Sequence, residues 1–206
     1  MGSVNQKLMN IEKHPFEPFL PACARILFLG SFPPQPHRWC MPFYYPNWIN
    51  DFWRIMGLIF YADKDHFCVP AEKRFDETAI RDFCTREGLA FYDTACEVRR
   101  LKDNASDAFL EIVKPTDMPA LLLQLPHCNT LVTTGQKATE VIAESFGCDV
   151  PPVGGSIDIN IPLGASCDQN QTSNTRPVRF WRMPSTSRAY PLALEKKAEA
   201  YKRLFE

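Results

Sequence analysis

Two kinds of hydrophobic pattern alternate along this chain. Short continuous apolar runs are typical of buried strands, and stretches with an apolar residue every three or four positions are typical of helices with one buried face. The runs predict four strands, over residues 25–30, 89–93, 130–134 and 178–183. Because strands that alternate with helices form parallel sheets covered on both faces, the sequence predicts an α/β fold, a three-layer α/β/α domain with a central four-stranded parallel sheet.

The helical stretches lie between and after these strands. They predict helices over about 50–60, 71–86, 106–112 and 117–124, a further helix that starts after Gly135, and a closing helix with Leu194, Ala198, Tyr201 and Phe205 facing inward. Asn50 or Asp51 is placed to cap the first helix, and Gly88 is placed to end the second.

Two segments follow neither pattern. Residues 1–24, with Pro15, Pro18 and Pro21, predict an irregular N-terminal arm that lies on the domain. Residues 151–175 end in a polar run and predict an exposed hairpin or insertion. The chain has 206 residues, of which 45% are hydrophobic, and we expect one domain over 1–206 with one buried core.

Charge and targeting signals narrow the class of protein. The net charge is −1, which excludes a histone-like binder but suits an enzyme that concentrates basic residues on one face. Residues 176–206 hold eight Lys or Arg against three Glu, a local charge of +5. The start of the chain lacks the apolar region of a signal peptide, and no run is long enough to span a membrane. We therefore expect a cytoplasmic protein, associated with the nucleoid if bacterial.

The eight cysteines and four histidines form no recognisable metal motif. No CxxC pair occurs, and no His or Cys spacing resembles a zinc or iron–sulfur site. Reduced thiols are expected, since no secretory signal is present. Of the histidines only His37 lies near the segments discussed next. We expect neither a metal nor a cofactor.

Two loops that follow predicted strands are candidates for a binding site. Gly30-Ser-Phe-Pro-Pro34 follows the first strand, and Pro184-Ser-Thr-Ser-Arg188 follows the fourth. In open α/β sheets ligands bind beyond the carboxyl ends of the strands, so these loops predict opposite walls of one cleft. Neither the phosphate-binding GxxxxGKS/T and GxGxxG patterns nor a GxSxG nucleophile turn occurs in the sequence.

The residues after the first loop carry groups that suit a nucleobase. Tyr44 and Tyr45 can stack on a planar ring, and the amides of Asn47 and Asn50 can both donate and accept hydrogen bonds. The hydroxyls of residues 184–188 and the amides of a following helix suit a phosphate. Together the two loops favour a nucleobase carried on a nucleic-acid backbone.

Five short motifs follow one another in a fixed order. They are Gly30-Ser-Phe-Pro-Pro34, Tyr44-Tyr-Pro46 leading to Asn50-Asp-Phe-Trp53, Ala105-Ser-Asp-Ala108 with Leu110-Glu-Ile112, Thr134-Gly-Gln-Lys137, and Met183-Pro-Ser-Thr-Ser187. This ordered set resembles the uracil-DNA glycosylase superfamily, and in detail its hypoxanthine-DNA glycosylase branch (family 6) and the related mismatch-specific uracil/thymine-DNA glycosylases. The order over residues 25–190 makes the resemblance more specific than any single motif.

The resemblance implies a uracil-DNA glycosylase-like fold and a monofunctional, metal-independent DNA glycosylase. Such an enzyme flips a deaminated base, uracil and/or hypoxanthine, out of single- or double-stranded DNA and hydrolyses its N-glycosidic bond, which initiates base excision repair. A monomer without membrane contacts is expected. By the motifs, Asn50 is the catalytic residue and Tyr45 stacks on the base. The other residues assigned by the resemblance are Gly30, Ser31, Phe32, Pro33, Tyr44 and Asn47 for base binding, and Arg182, Pro184, Ser185, Thr186, Ser187 and Arg188 for DNA binding.

The sequence departs from the family pattern at two places. Phe32 stands where many members carry an Asn or Asp that positions the attacking water, although the hypoxanthine branch also lacks that residue. Asn47-Trp-Ile49 stands where the branch usually has His-Pro ahead of its asparagine. Two other functions therefore stay open, a nucleic-acid-binding module that has lost hydrolysis and a small-molecule α/β hydrolase or nucleotide-processing enzyme.

Each candidate residue also has a structural interpretation. Asn50 can be only a helix cap, and residues 184–187 can cap the last helix. Phe32 can fill a gap between strand and helix, and Asp93 and Asp107 suit turn caps. For Phe52 and Trp53 the helical pattern favours a core position.

Overall fold

The computed structural model describes residues 10–101, 109–162 and 175–206. Its strands are β1 (Ile11–Lys13), β2 (Ile26–Gly30), β3 (Cys68–Val69), β4 (Arg74–Phe75), β5 (Leu89–Asp93), β6 (Ala95–Arg100), β7 (Leu110–Pro115), β8 (Thr130–Thr133), β9 (Gly155–Pro162) and β10 (Thr175–Arg182). Its α-helices are α1 (Phe52–Tyr61), α2 (Glu77–Glu87), α3 (Met118–Leu123), α4 (Gln136–Phe146) and α5 (Leu194–Lys202).

The central sheet has five strands in the order β5-β2-β8-β10-β9. Strands β5, β2, β8 and β10 are parallel, and they are the four strands that the apolar runs predict. The predicted number of strands is wrong, because β9 pairs with β10 in antiparallel orientation at the sheet edge. In β9 an isoleucine occupies every second position, and Ile159 and Ile161 are buried, so one face of this strand joins the core. Within the segment predicted as an exposed hairpin or insertion, residues 155–162 form β9, which pairs with the following strand as in a hairpin, and residues 163–174 lie outside the described residues.

Helices cover both faces of the central sheet. Phe28 of β2 packs in a hydrophobic cluster with residues of α1, α2 and α5, whereas its neighbours Leu27 and Leu29 pack with residues of α3 and α4. Successive residues of a strand point to opposite faces, so β2 is buried on both sides. The fold is therefore mixed α/β, with the parallel strands between two layers of helices.

A second, antiparallel sheet has the order β1-β6-β7 and includes part of the N-terminal arm. Ile11 of β1 pairs with Arg99 of β6, and further along the arm the backbone of Phe19 pairs with Phe91 of β5. The arm predicted as irregular is thus anchored by strand pairing at two points, while residues 1–9 lie outside the described residues.

Two helix predictions are corrected by strand pairing. The helix predicted over 106–112 is wrong at residues 110–112, which belong to β7 together with β-branched Val113, and residues 106–108 are not described. The helix predicted over 71–86 starts only at Glu77, because β4 pairs with β3 just before it. The Asp76 side chain accepts a hydrogen bond from the Ala79 amide at 3.1 Å and so caps this helix. No helix in the described parts of the chain is long and apolar enough to cross a membrane.

Candidate active site

A cleft of about 630 Å³ lies at the carboxyl ends of the parallel strands. Its lining includes Gly30 at the end of β2, Asp93 at the end of β5, Thr134 after β8 and Ser185 after β10. This is the position at which open α/β sheets bind their ligands. Of the residues predicted for the site, the cleft brings together Gly30, Ser31, Phe32, Pro33, Tyr44, Tyr45, Asn47, Asn50, Ser185, Thr186 and Ser187.

The close approach of Asp93 explains the glycine that opens the first loop. The Gly30 amide donates a hydrogen bond to Asp93 Oδ1 at 3.0 Å. A Cβ atom at position 30 would lie 2.6 Å from the same oxygen, closer than van der Waals contact allows. The absence of a side chain at residue 30 therefore lets the Asp93 carboxyl group lie against this part of the backbone. The sequence suggested only a turn cap for Asp93, but its carboxyl group is part of the cleft wall.

The N-terminal arm supplies the second partner of this carboxyl group. His14 Nε2 lies 3.0 Å from Asp93 Oδ2, and the His14 side chain is 3% exposed. Nδ1 of the same ring lies 2.8 Å from the carbonyl oxygen of Phe16, a residue that lines the cleft. The sequence placed only His37 near the site, and it missed His14 because 79 residues separate it from Asp93.

Arg100 of β6 holds the first loop from another side. Its guanidinium contacts both carboxylate oxygens of Glu12 at 3.0 Å and donates to the carbonyl oxygen of Pro33 at 2.6 Å. The guanidinium also lies 5.6 Å from the centre of the Phe32 ring. Phe32 packs against a small cluster formed by Ala95, Val98 and Leu110, so its ring both lines the cleft and fills the space between the two sheets.

Tyr45 is held rigidly at the cleft wall. Its ring stacks on Phe52 with 3.9 Å between ring centres, and its hydroxyl lies 3.0 Å from Thr134 Oγ1. The backbone φ of 51° places this residue in the left-handed region, where non-glycine residues are uncommon. Burial raises the pKa of the Tyr45 phenol far above its usual range, so the hydroxyl stays neutral.

Tyr44 and the first turn of α1 belong mainly to the core. Tyr44 is 3% exposed and donates from its hydroxyl to the carbonyl oxygen of Glu17 at 2.9 Å. Burial also raises the pKa of this phenol. Phe52 and Trp53 are buried, as the helical pattern predicted. Tyr44 therefore shapes the cleft but offers little surface to a ligand.

Asn50 is both a helix cap and a cleft residue. Its Oδ1 accepts a hydrogen bond from the Phe52 amide at 2.9 Å. Only the oxygen of a carboxamide can accept from an N–H group, so this contact fixes which atom of the Asn50 side chain is the NH2 group. No residue in the described part of the chain accepts a hydrogen bond from that NH2 group, and Asn50 lines the cleft. The cap and binding interpretations are thus compatible, and the free donor is the group available to a ligand.

An ion-pair network joins the second loop to the start of α1. Lys197 of α5 contacts Asp51 Oδ2 at 2.9 Å and donates to the Ser187 carbonyl oxygen at 2.8 Å. Arg188 contacts Asp51 Oδ1 at 3.0 Å, and the Asp51 amide donates to the Thr186 carbonyl oxygen. The Lys197 side chain is 1% exposed, so its charge is buried together with that of Asp51. This network holds residues 186–188 beside Asn50.

Three residues predicted to bind DNA lie outside the cleft lining. Pro184 is buried, and its carbonyl oxygen accepts from the Tyr201 hydroxyl at 2.7 Å. Arg188 is half exposed but is already paired with Asp51. Arg182 lines a neighbouring cleft of about 550 Å³, which shares Gly135 and Ser185 with the first cleft. That Arg182 and Arg188 contact DNA stays a prediction.

Replacement of Lys197 by methionine should destabilise the protein. Asp51 would keep Arg188 but lose its buried partner, and loss of one partner from a buried ion pair costs about 3 kcal/mol. The free energy of unfolding, measured in urea, should fall by that amount. The adjacent Lys196→Met is the matched control, because Lys196 is exposed and its ion pair with Glu199 is exposed as well. Equal stability of the two variants would contradict the structural role of Lys197.

Comparisons with known proteins agree with this architecture. No protein-family model and no curated protein matches the sequence. Among solved structures the fold is similar to a protein from Methanosarcina acetivorans, determined by NMR in solution and described as a "putative Uracil DNA glycosylase". The TM-score is 0.58 and the sequence identity is 20%, and the alignment covers 95% of this chain and 98% of that chain. At this identity the similarity concerns the fold, and it extends over almost the whole of both chains.

Proposed function

We propose that the protein is a monofunctional DNA glycosylase. It would flip a deaminated base, uracil and/or hypoxanthine, into the cleft and hydrolyse the N-glycosidic bond as the first step of base excision repair. The observation that carries this proposal is the convergence of the family-like motifs. Three groups of residues far apart in sequence line one cleft at the carboxyl edge of a sheet with the expected fold. They are residues 30–33, residues 44–47 with Asn50, and residues 185–187.

The chemistry of glycosidic cleavage suits the groups in this cleft. When the bond between C1′ and the base nitrogen breaks, both electrons leave with the base and the sugar becomes positive. The oxygen of a water molecule then bonds to C1′, and the proton that the water loses ends on the departed base, so that the products are the sugar hydroxyl and the neutral base. Fixed hydrogen-bond donors near the base and a carboxylate near the sugar both stabilise such a transition state.

We assign the donor role to Asn50 and the carboxylate role to Asp93. The Asn50 NH2 group is unused by the described residues, and its orientation is fixed because Oδ1 binds the Phe52 amide. Asp93 is the only acidic residue in the described lining of the cleft, and hydrogen bonds to Gly30 and His14 hold it in place. Many members of the family that the sequence resembles carry an Asn or Asp at the position of Phe32. A phenyl ring has no charge, so Asp93 would supply the negative charge in this cleft. Both groups are preorganised, so little reorganisation is needed during the reaction.

The cleft favours hydrolysis over lyase chemistry. A glycosylase that also cuts the DNA strand forms a Schiff base through a lysine amine, and no lysine belongs to the described cleft lining. Lys137 lines the neighbouring cleft, and its amine donates to the carbonyl oxygen of Leu110 at 2.7 Å. Lys197 is buried in the ion-pair network. Water is therefore the proposed nucleophile.

A panel of oligonucleotides tests the proposal. Duplex and single-stranded oligonucleotides with one uracil, hypoxanthine, xanthine or G·T mismatch are incubated with the protein and then treated with alkali to cut abasic sites. Strand cleavage should appear with uracil, hypoxanthine or both, only after alkali. It should be unchanged by EDTA and thiol reductants, because no metal-ligand motif is recognisable in the sequence.

The same panel separates the second candidate function. A binding module without hydrolysis is favoured by one observation, the Phe32 ring at the position of the family's water-binding residue. Such a module would bind the damaged duplex and leave every base intact. Retention of DNA without any alkali-sensitive site, at enzyme concentrations above that of the DNA, would overturn the enzymatic proposal.

A further inference from the structure

One arginine in the cleft wall has a guanidinium that no described residue binds. Arg38 ends the short 3-10 turn Pro36–Arg38 in the loop between β2 and α1, and it lines the cleft. Its side chain makes no hydrogen bond or ion pair with any residue in the described ranges. Its Nε atom is buried and also lacks a partner. Buried polar atoms are nearly always hydrogen-bonded, so this donor is expected to bind a group that the described residues do not supply.

Three other arginines around the cleft have partners among the described residues. Arg100 binds Glu12 and the Pro33 carbonyl oxygen, and Arg188 binds Asp51. Arg54 donates to the carbonyl oxygens of Trp48 and Asn50 at 2.8 and 3.2 Å. These three side chains therefore hold the loops in place. Arg38 differs from them because its charge has no protein partner among the described residues.

The backbone that carries Arg38 is well fixed. The next residue, Trp39, donates from its indole nitrogen to the Pro34 carbonyl oxygen at 2.6 Å. Its ring packs on Phe16 of the N-terminal arm, with 4.8 Å between ring centres. A fixed backbone beneath an unpaired guanidinium is the arrangement expected of a residue that is ready to bind an anion.

We propose that Arg38 binds a backbone phosphate of DNA next to the flipped nucleotide. This inference rests on the proposed function, because that function supplies the DNA. A guanidinium matches two phosphate oxygens with two parallel N–H donors, and every nucleotide carries the same phosphate whatever its base. Arg38 would therefore set how tightly DNA is held at the cleft, without selecting the base. It adds to the predicted DNA contact of Arg188, whose Nε contacts Asp51 while its side chain is half exposed.

The test uses a DNA duplex that contains phosphates but no target base. A fluorescent duplex with a tetrahydrofuran abasic-site analogue is titrated with full-length wild type, Arg38→Gln, Arg38→Lys and Arg179→Gln at several salt concentrations. Arg38→Gln should lower the affinity for the duplex about tenfold. It should also reduce the slope of log K against log salt by about 0.9, the change expected for the loss of one phosphate contact. Arg38→Lys should keep the wild-type slope with an intermediate affinity. Arg179 is the control, because it is exposed and pairs with Asp158 on the β9–β10 edge.

The possible results have distinct meanings. Wild-type affinity and slope in Arg38→Gln would overturn the phosphate contact, and so would equal changes in Arg179→Gln. In the cleavage panel, Arg38→Gln should keep the wild-type ratio of uracil to hypoxanthine rates, and a shifted ratio with an unchanged slope would place Arg38 against the base instead. If wild type binds the duplex but excises no base, only the glycosylase proposal fails. If wild type does not bind the duplex, both proposals fail.

Discussion

Replacement of Asn50 by alanine is expected to slow base excision at least 100-fold under single-turnover conditions, by analogy with removal of one positioned donor from an active site. The variant loses both functions of the side chain, the cap on the Phe52 amide and the free NH2 group in the cleft. Loss of the cap alone should cost about 1 kcal/mol of stability. The cleavage assay should therefore be run beside a thermal melt.

Asn50→Asp separates these two functions. A carboxylate oxygen can still accept the hydrogen bond from the Phe52 amide, so the fold should be kept, but no donor remains for the base. We expect slow cleavage with a nearly normal melting temperature. Asn47→Ala is the matched comparison, because Asn47 also lines the cleft and its Oδ1 accepts from the Ile49 amide at 3.1 Å. If both Asn50 variants cleave every base at the wild-type rate, Asn50 is only a cap and Asn47 becomes the candidate.

Asp93→Asn should have the second large effect, a decrease of about 100-fold in the single-turnover rate. The amide oxygen of asparagine can still accept from the Gly30 amide, so the hydrogen bond between the side chain of residue 93 and the first loop is retained. What is lost is the negative charge that would oppose the positive charge on the sugar. The affinity for DNA should not fall, because a group of the same sign as the phosphates has been removed.

Two further variants distinguish a catalytic role of the Asp93 carboxyl group from a purely structural one. Asp158→Asn removes a carboxylate that is exposed and paired with Arg179, and it should leave cleavage unchanged. Asp93→Ala also removes the acceptor for Gly30 and His14, and it should lower stability as well as rate. If Asp93→Asn cleaves at the wild-type rate while Asp93→Ala unfolds easily, the carboxyl group serves only to join the arm and the loop.

Local patterns were sufficient to predict most of the central sheet. Each parallel strand is a short apolar run, and this signal depends only on neighbouring residues. Strand β9 was missed because its alternating isoleucines are followed by a polar stretch, which led us to treat residues 151–175 as one exposed unit. Strand β7 was missed because its pairing with β6 is decided by the partner strand and not by its own short sequence.

The residues of the cleft that belong to sequence motifs could be predicted. The contacts between residues distant in sequence could not. The loops at Gly30 and Ser185 were placed by the rule for strand ends, and the structure puts both in the cleft lining. Asp93 contacts His14, and Asp51 contacts Lys197. Each contact joins residues that are far apart in sequence, so no local sequence pattern predicts it. Arg38 was missed for another reason, since only the structure reveals that none of the described residues binds its guanidinium.

The attachment of the N-terminal arm has a practical consequence for making the protein. A shortened version that begins at β2 would keep every strand of the central sheet. From the sequence alone, this truncation would not be expected to affect the cleft. It would nevertheless lack the His14 contact to Asp93, the Glu12 contact to Arg100 and the Phe16 side of the cleft. A purification tag is therefore better placed after the last helix, and crystallisation trials should not trim the arm in search of a more compact molecule.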